Sequence, residues 1–198
     1  MRKIESVDPV EEVREIWTVG HSTHALEDFT LILKSHSIET LADVRAYPAS
    51  RRYPHFNQDT LRESLRSADI AYYHLPSLGG RRTVTRDSKN TAWKNASFRA
   101  YADYMETEKF REGMRQLTEL SSASRTAIMC AEAVWWRCHR SLIADYLKAR
   151  DWTVTHILNE KKTELHPYTS AASIIDGQLS YSGLLREGGL EIEPEVKL

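Results

Sequence analysis

Cysteine is scarce in this chain: two residues, Cys130 and Cys138, in 198. That excludes a disulfide framework and makes a reducing cytoplasm the expected setting. No apolar run approaches the ~20 residues of a membrane-spanning helix, and the first residues lack the apolar core of a signal peptide. No membrane partner is therefore expected. Tight ligand spacings such as Cys-x-x-Cys or His-Glu-x-x-His are missing too, so no metal and no cofactor is assigned. Internal repeats and low-complexity linkers are absent. What remains is ordinary globular composition, 41% hydrophobic and 28% charged, with a mean hydropathy of −0.52.

The net charge of −1 is unevenly spread. From Arg45 to Arg99 there are 11 Lys+Arg against 4 Asp+Glu, a local +7 that leaves −8 for the rest. Such asymmetry marks an anion-facing region.

Residues 1–14 are charged and aperiodic and read as a mobile lead-in to one domain over residues 15–198. Residues 16–20, 38–45, 70–75 and 152–158 read as strands, as does the apolar run that ends at Cys130. A helix is expected after Ser22, Thr23 or His24, with Glu27 and Asp28 in its first turn. Others are expected over 58–68 and 98–120, the last weakened at Gly113, and a fourth opening near Arg137. Residues 49–57 and 78–95 form loops, the second a basic insertion anchored by Trp93 and Phe98. A turn is expected at Asp176-Gly177. This alternation predicts an α/β fold: a single domain with a largely parallel five-stranded sheet flanked by helices.

Right-handed crossovers would bring every strand's carboxyl end to one edge. His21 and Ser22, Asp43 and Arg45, His74, Cys130 and Glu132, and the late-strand His156 would then converge there. The blocks Val19-Gly20-His21-Ser22, Asp43 through Arg51, Leu78-Gly79-Gly80, Met129-Cys130-Ala131-Glu132, Cys138-His139-Arg140 and His166-Pro167-Tyr168-Thr169 resemble the domain-of-unknown-function family numbered 488. The resemblance runs from about Trp17 to Ser182. It implies an intracellular α/β domain and no settled activity. The Trp135-Trp136 pair departs from it, standing where a shorter polar turn is more usual in the family.

Several chemistries fit the edge. Thiolates are stabilised by cations and helix N-termini, which Arg137, His139 and Arg140 would supply to Cys130 or Cys138. Cys130 and Arg137 approach a Cys-loop-Arg anion cradle, but the loop lacks glycine and carries Glu132. Asp43, Glu132, Arg45 and Arg140 could lock the edge as ion pairs, or Glu132, beside tryptophan, could act as general acid or base. Arginines interleaved with Tyr53, His55 and Phe56 suit phosphates and stacked bases.

The leading expectation is an enzyme with an anion-binding site for a nucleobase-containing or phosphorylated substrate. Its chemistry would fall to Asp43, Glu132 and Cys130. Arg45, Arg51, Arg52, Arg137 and Arg140 would hold the anion, with His21, Ser22, Asn57, His74, Cys138 and His139 completing the substrate site. The alternative is a non-catalytic nucleic-acid or nucleotide binding module built on the basic aromatic loops.

Overall fold

Strand β4 (Thr126–Cys130) shows why the domain folds as it does: all of its residues are buried, as are all those of β2 (Thr40–Asp43). Runs that are apolar on both faces need a covering layer on each side. In a computed structural model that describes residues 14–183, the layers follow β1 (Glu15–Gly20), α1 (Leu26–Ser35), β2, α2 (Gln58–Arg66), β3 (Ala71–His74), α3 (Ala96–Met105), α4 (Glu108–Ala123), β4, α5 (Arg140–Lys148) and β5 (Thr153–Ile157). Short strands β6 (Thr163–Leu165), β7 (Ser173–Ile175) and β8 (Gln178–Ser180) come last. The expected lead-in over residues 1–14 lies, but for Arg14, outside the described residues, as does the tail beyond residue 183.

The sheet order is β3-β2-β4-β1-β5-β6. The expected five strands are all parallel, and β6 adds an antiparallel edge on β5. Phe29, Leu33, Leu61 and Leu65 of α1 and α2 cover one face against Ala127 and Met129. Residues of α3, α4 and α5, among them Tyr101, Phe110, Leu117 and Leu142, cover the other against Ile128 and Cys130. The two-residue period of β4 thus sends Cys130 to the α5 side.

Local chemistry sets the element boundaries. The single helix expected over 98–120 is two: α3 stops, and Thr107 caps α4 by accepting from the Phe110 amide at 3.3 Å. A threonine oxygen offers this donor a better partner than helix continuation would. Gly113 breaks nothing, because a Cβ there would meet Ser77 Oγ at 2.4 Å; it lets α4 lie close on a neighbouring turn. α5 opens at Arg140, later than expected, since Trp135–Arg137 form a separate 3-10 turn. α1 starts after Ala25 without a side-chain cap. The turn at Asp176-Gly177 joins β7 to β8, with φ of 51° and 74° there, the paired positive values of a type I′ hairpin.

Topology positions the site. The connection after β2 runs outward to β3, and that after β4 runs the opposite way to β5. A crevice opens between such diverging loops, at the carboxyl ends of adjacent strands. No helix among the described residues is long and apolar enough to cross a membrane.

Candidate functional site

The crevice is a cleft of about 630 Å³. Arg45, Ala46 and Tyr47 enter from the loop after β2, Gly80 and Arg81 from beyond β3, and Asn95, Ser97 and Phe98 from the start of α3. Cys130, Glu132, Arg137, Cys138 and His139 follow β4.

Cys130 ends β4, and Cys138 precedes α5; both are buried and free. Their sulfurs lie 2.6 Å apart. Arg140 is 1% exposed and donates from Nη1 to Cys130 Sγ at 2.7 Å and to the Val19 and Glu132 carbonyls, and from Nη2 to the Ala133 carbonyl. Burial by itself would raise the Cys130 thiol, but the Cys138 bond and the Arg140 charge outweigh it and bring it down to about 7. Burial pushes Cys138 the other way, up, and the negative sulfur beside it adds to this. Cys130 is therefore the more acidic thiol of the pair.

Two glycines permit this packing. A Cβ on Gly20 would stand 1.8 Å from the Glu132 carbonyl oxygen, and one on Gly80 would stand 2.5 Å from His139 Nδ1. His139 donates from Nε2 to the Val44 carbonyl at 3.1 Å, which leaves the Nδ1 lone pair facing Cys138 Sγ at 3.5 Å. Burial holds its pKa down at about 4, so the ring is neutral.

A second constellation supports the wall. Asp43 is fully buried and grips Arg45 through Nε and Nη2, and accepts from Tyr72 Oη at 2.6 Å. Arg45 reaches His21 Nε2 with Nη1 at 3.2 Å, so that nitrogen accepts and Nδ1 donates to the Ser22 carbonyl. Burial and then the Arg45 charge lower His21 to about 4. Its ring stacks on Phe56 at 4.1 Å. Arg45, Ala46 and Tyr47 line the cleft, with the Arg45 guanidinium held back against Asp43, His21 and the Phe56 carbonyl; Asp43, His21 and Ser22 do not line it.

The remaining expected residues divide by location. Glu132 and Arg137 are exposed on the cleft. His74 donates to the Arg45 carbonyl, and Asn57 Oδ1 accepts from the Ser50 amide, so both shape the loop from outside. Arg51 and Arg52 are exposed and off the cleft, Arg52 lying over the Tyr53 ring. Sequence reasoning left Tyr47, Gly80, Asn95, Ser97 and Phe98 out of the site. Asn95 had a legible signal, being a capping residue that accepts from the Ser97 and Phe98 amides at the start of α3. Tyr47, 72% exposed with Arg81 over its ring, had none beyond loop position.

His156 belongs to a buried chain beneath the β4–α5 loop. Thr18 Oγ1 meets its Nδ1, His166 meets its Nε2, and Asp145 accepts from His166 at 3.0 Å. Asp145 also accepts from Thr169 and Tyr181, which fastens the C-terminal segment to α5. Trp135 stacks flat on His156. Among the described residues no group of three or more His, Cys, Asp and Glu side chains is placed to hold a metal ion.

The family model described as Domain of unknown function DUF488 matches residues 25–147. The chain belongs to that family. Neither a curated protein nor a solved structure matches it. The DUF488 region begins just before α1 and ends within α5, so it contains every residue that lines the cleft. Gly20 and His21 precede it, and the His156–His166 chain follows it.

Proposed function

We propose that this protein is an enzyme that binds a phosphorylated or nucleobase-containing anion in the cleft and attacks it with Cys130. The observation that carries the reading is the Arg140 guanidinium 2.7 Å from Cys130 Sγ, at a cleft whose walls hold Arg45, Arg81 and Arg137. A thiolate held by a buried cation is nucleophilic near neutral pH. The guanidinium groups of Arg81 and Arg137, on separate connections, match phosphate or carboxylate oxygens by paired donors, while Arg45 is already paired with Asp43. Tyr47 and Phe98 offer ring faces to a base. Glu132, exposed on the cleft, would pass a proton to the leaving group.

Side chains do the anion binding in this reading. Arg140 draws the Glu132 and Ala133 carbonyls onto itself. A loop that turns carbonyls inward is unlike the amide cradle of a Cys-loop-Arg phosphatase.

The test is a panel of nucleotides and sugar phosphates, scored by thermal shift and by product formation. Binding should fall at least about tenfold in Arg137→Ala, the loss of one charge-assisted contact. Turnover should vanish in Cys130→Ser and drop in Glu132→Gln. A panel that neither stabilises the protein nor is turned over would end the proposal.

The second reading, a nucleic-acid binding module, is favoured by the exposed Tyr47 with Arg81 against it and by the exposed Arg51 and Arg52 on the same connection. It requires oligonucleotide affinity that falls steeply with salt, weakens in Arg51→Ala and Arg52→Ala, and is indifferent to Cys130→Ser.

A further inference from the structure

Cys138 is a nucleophilic group that the reading above leaves without a task. Its sulfur lies 2.6 Å from Cys130 Sγ, and both residues line the same cleft. We propose that Cys130 and Cys138 are a redox couple that reduces small anionic disulfides, compounds of the glutathione disulfide type, with Cys130 attacking and Cys138 resolving. The proposal rests on Cys130 as the nucleophile of the cleft, and it is independent of any phosphorylated substrate.

The two thiols stand in unequal surroundings, which assigns their order. Arg140 touches the Cys130 sulfur, whereas Cys138 faces the His139 Nδ1 lone pair. The first is kept as thiolate and the second as thiol. The Nε2–H bond of His139 to Val44 fixes that tautomer, and the absent side chain of Gly80 leaves the ring its seat. Covalent closure needs the sulfurs to approach by roughly half an ångström, since a disulfide bond is about 2.05 Å long.

In the first step the Cys130 thiolate attacks one sulfur of the disulfide. A new S–S bond forms, the old one breaks, and its electron pair leaves on the departing thiolate. Arg81 and Arg137 line the same cleft and match the carboxylates such a compound carries. In the second step Cys138 gives up its proton to the departed thiolate and attacks Cys130 Sγ. The Cys130–Cys138 bond forms and the second thiolate leaves, taking its proton from solvent as the Cys130 thiolate's equivalent. The protein loses two electrons, and one disulfide becomes two thiols; a dithiol reductant restores the starting state.

The experiment adds glutathione disulfide to the native full-length protein and reads intact mass after acid quenching. The wild type should lose the mass of two hydrogens and carry no glutathione. Cys138→Ser, and Cys138→Ala as a second variant, should stop at a mixed disulfide that peptide mapping places on Cys130. Cys130→Ser should take up none. A wild type that stays reduced, or that accumulates the mixed disulfide, overturns the couple; this arm needs no variant to fold. Nucleotide binding measured on the same preparations separates the two proposals. Disulfide formation without nucleotide binding sinks the earlier reading alone, and the converse sinks the couple alone.

Discussion

Trp135 lies flat on His156, with ring centroids 4.4 Å apart and planes inclined by 7°. This stack joins the loop carrying the cleft's Glu132 and Arg137 to strand β5, which itself contributes nothing to the cleft lining. Trp135→Ala would remove the ring and leave a cavity above a buried imidazole. The expected cost is about 3–5 kcal/mol, the range for large-to-small aromatic substitutions in cores. Urea denaturation measures it. Trp136, half exposed beside it, should cost far less when truncated.

Stability should fall on acidification well before the carboxylates are protonated. Burial lowers His21 and His139 to about 4 and His156 to about 2, from an ordinary value of 6.5. Between about 6.5 and about 4 the unfolded chain takes up protons at these rings that the folded chain refuses. Unfolding free energy therefore rises with pH across that window, and each ring contributes on the order of 1.4 kcal/mol per pH unit. Melting temperatures taken from pH 7 to pH 4.5 check the slope. A flat profile would contradict the neutral, buried state of the rings.

Cys130 should be alkylated by iodoacetamide with a pH midpoint near 7, the value to which its Cys138 bond and Arg140 bring it. Cys138, held up by burial, should react later and more slowly. Arg140→Gln removes the charge and should move the Cys130 midpoint upward, read by mass spectrometry in preparations whose circular dichroism is unchanged. An unmoved midpoint would remove Arg140 as the stabilising group.

Asp43→Asn should destabilise the protein by about 3–5 kcal/mol, the cost of leaving one member of a buried ion pair uncompensated. Arg45 would lose its counter-charge and one acceptor oxygen, keeping the amide oxygen at position 43, the Phe56 carbonyl and the neutral His21 nitrogen. Chemical denaturation gives the number. A substrate-binding loss larger than the stability loss would show Arg45 losing its aim as well.

The strands were legible because the β-branched and apolar runs ending at Gly20, Asp43, His74 and Cys130 have the length and punctuation of buried parallel strands. Of the residues that topology alone sends to that edge, Arg45, Cys130 and Glu132 line the cleft, while His21, Ser22, Asp43, His74 and His156 do not. Topology does not distinguish front from back. Asp43 and Arg45 are two residues apart at a strand end, yet one grips the other from behind while the other lines the cleft. No spacing rule encodes which carboxylate is consumed by an internal ion pair. Arg137 and Arg140 posed the same problem in reverse: the arginine with the nearer phosphatase-like spacing lies out on the wall, and the later one holds the sulfur. The 3-10 turn at Trp135–Arg137 causes that exchange by delaying α5.

Arg140 acts as a rivet as well as a counter-charge. One guanidinium ties the end of β1, the loop after β4 and the Cys130 sulfur into a single joint. Chemistry at the sulfur and cohesion of the sheet are thus linked quantities. Whatever discharges Cys130, by alkylation, protonation or disulfide closure, strips a buried cation of its only negatively charged sulfur and loosens the seam between β1 and β4. The state of one side chain then becomes readable in the melting curve of the whole domain.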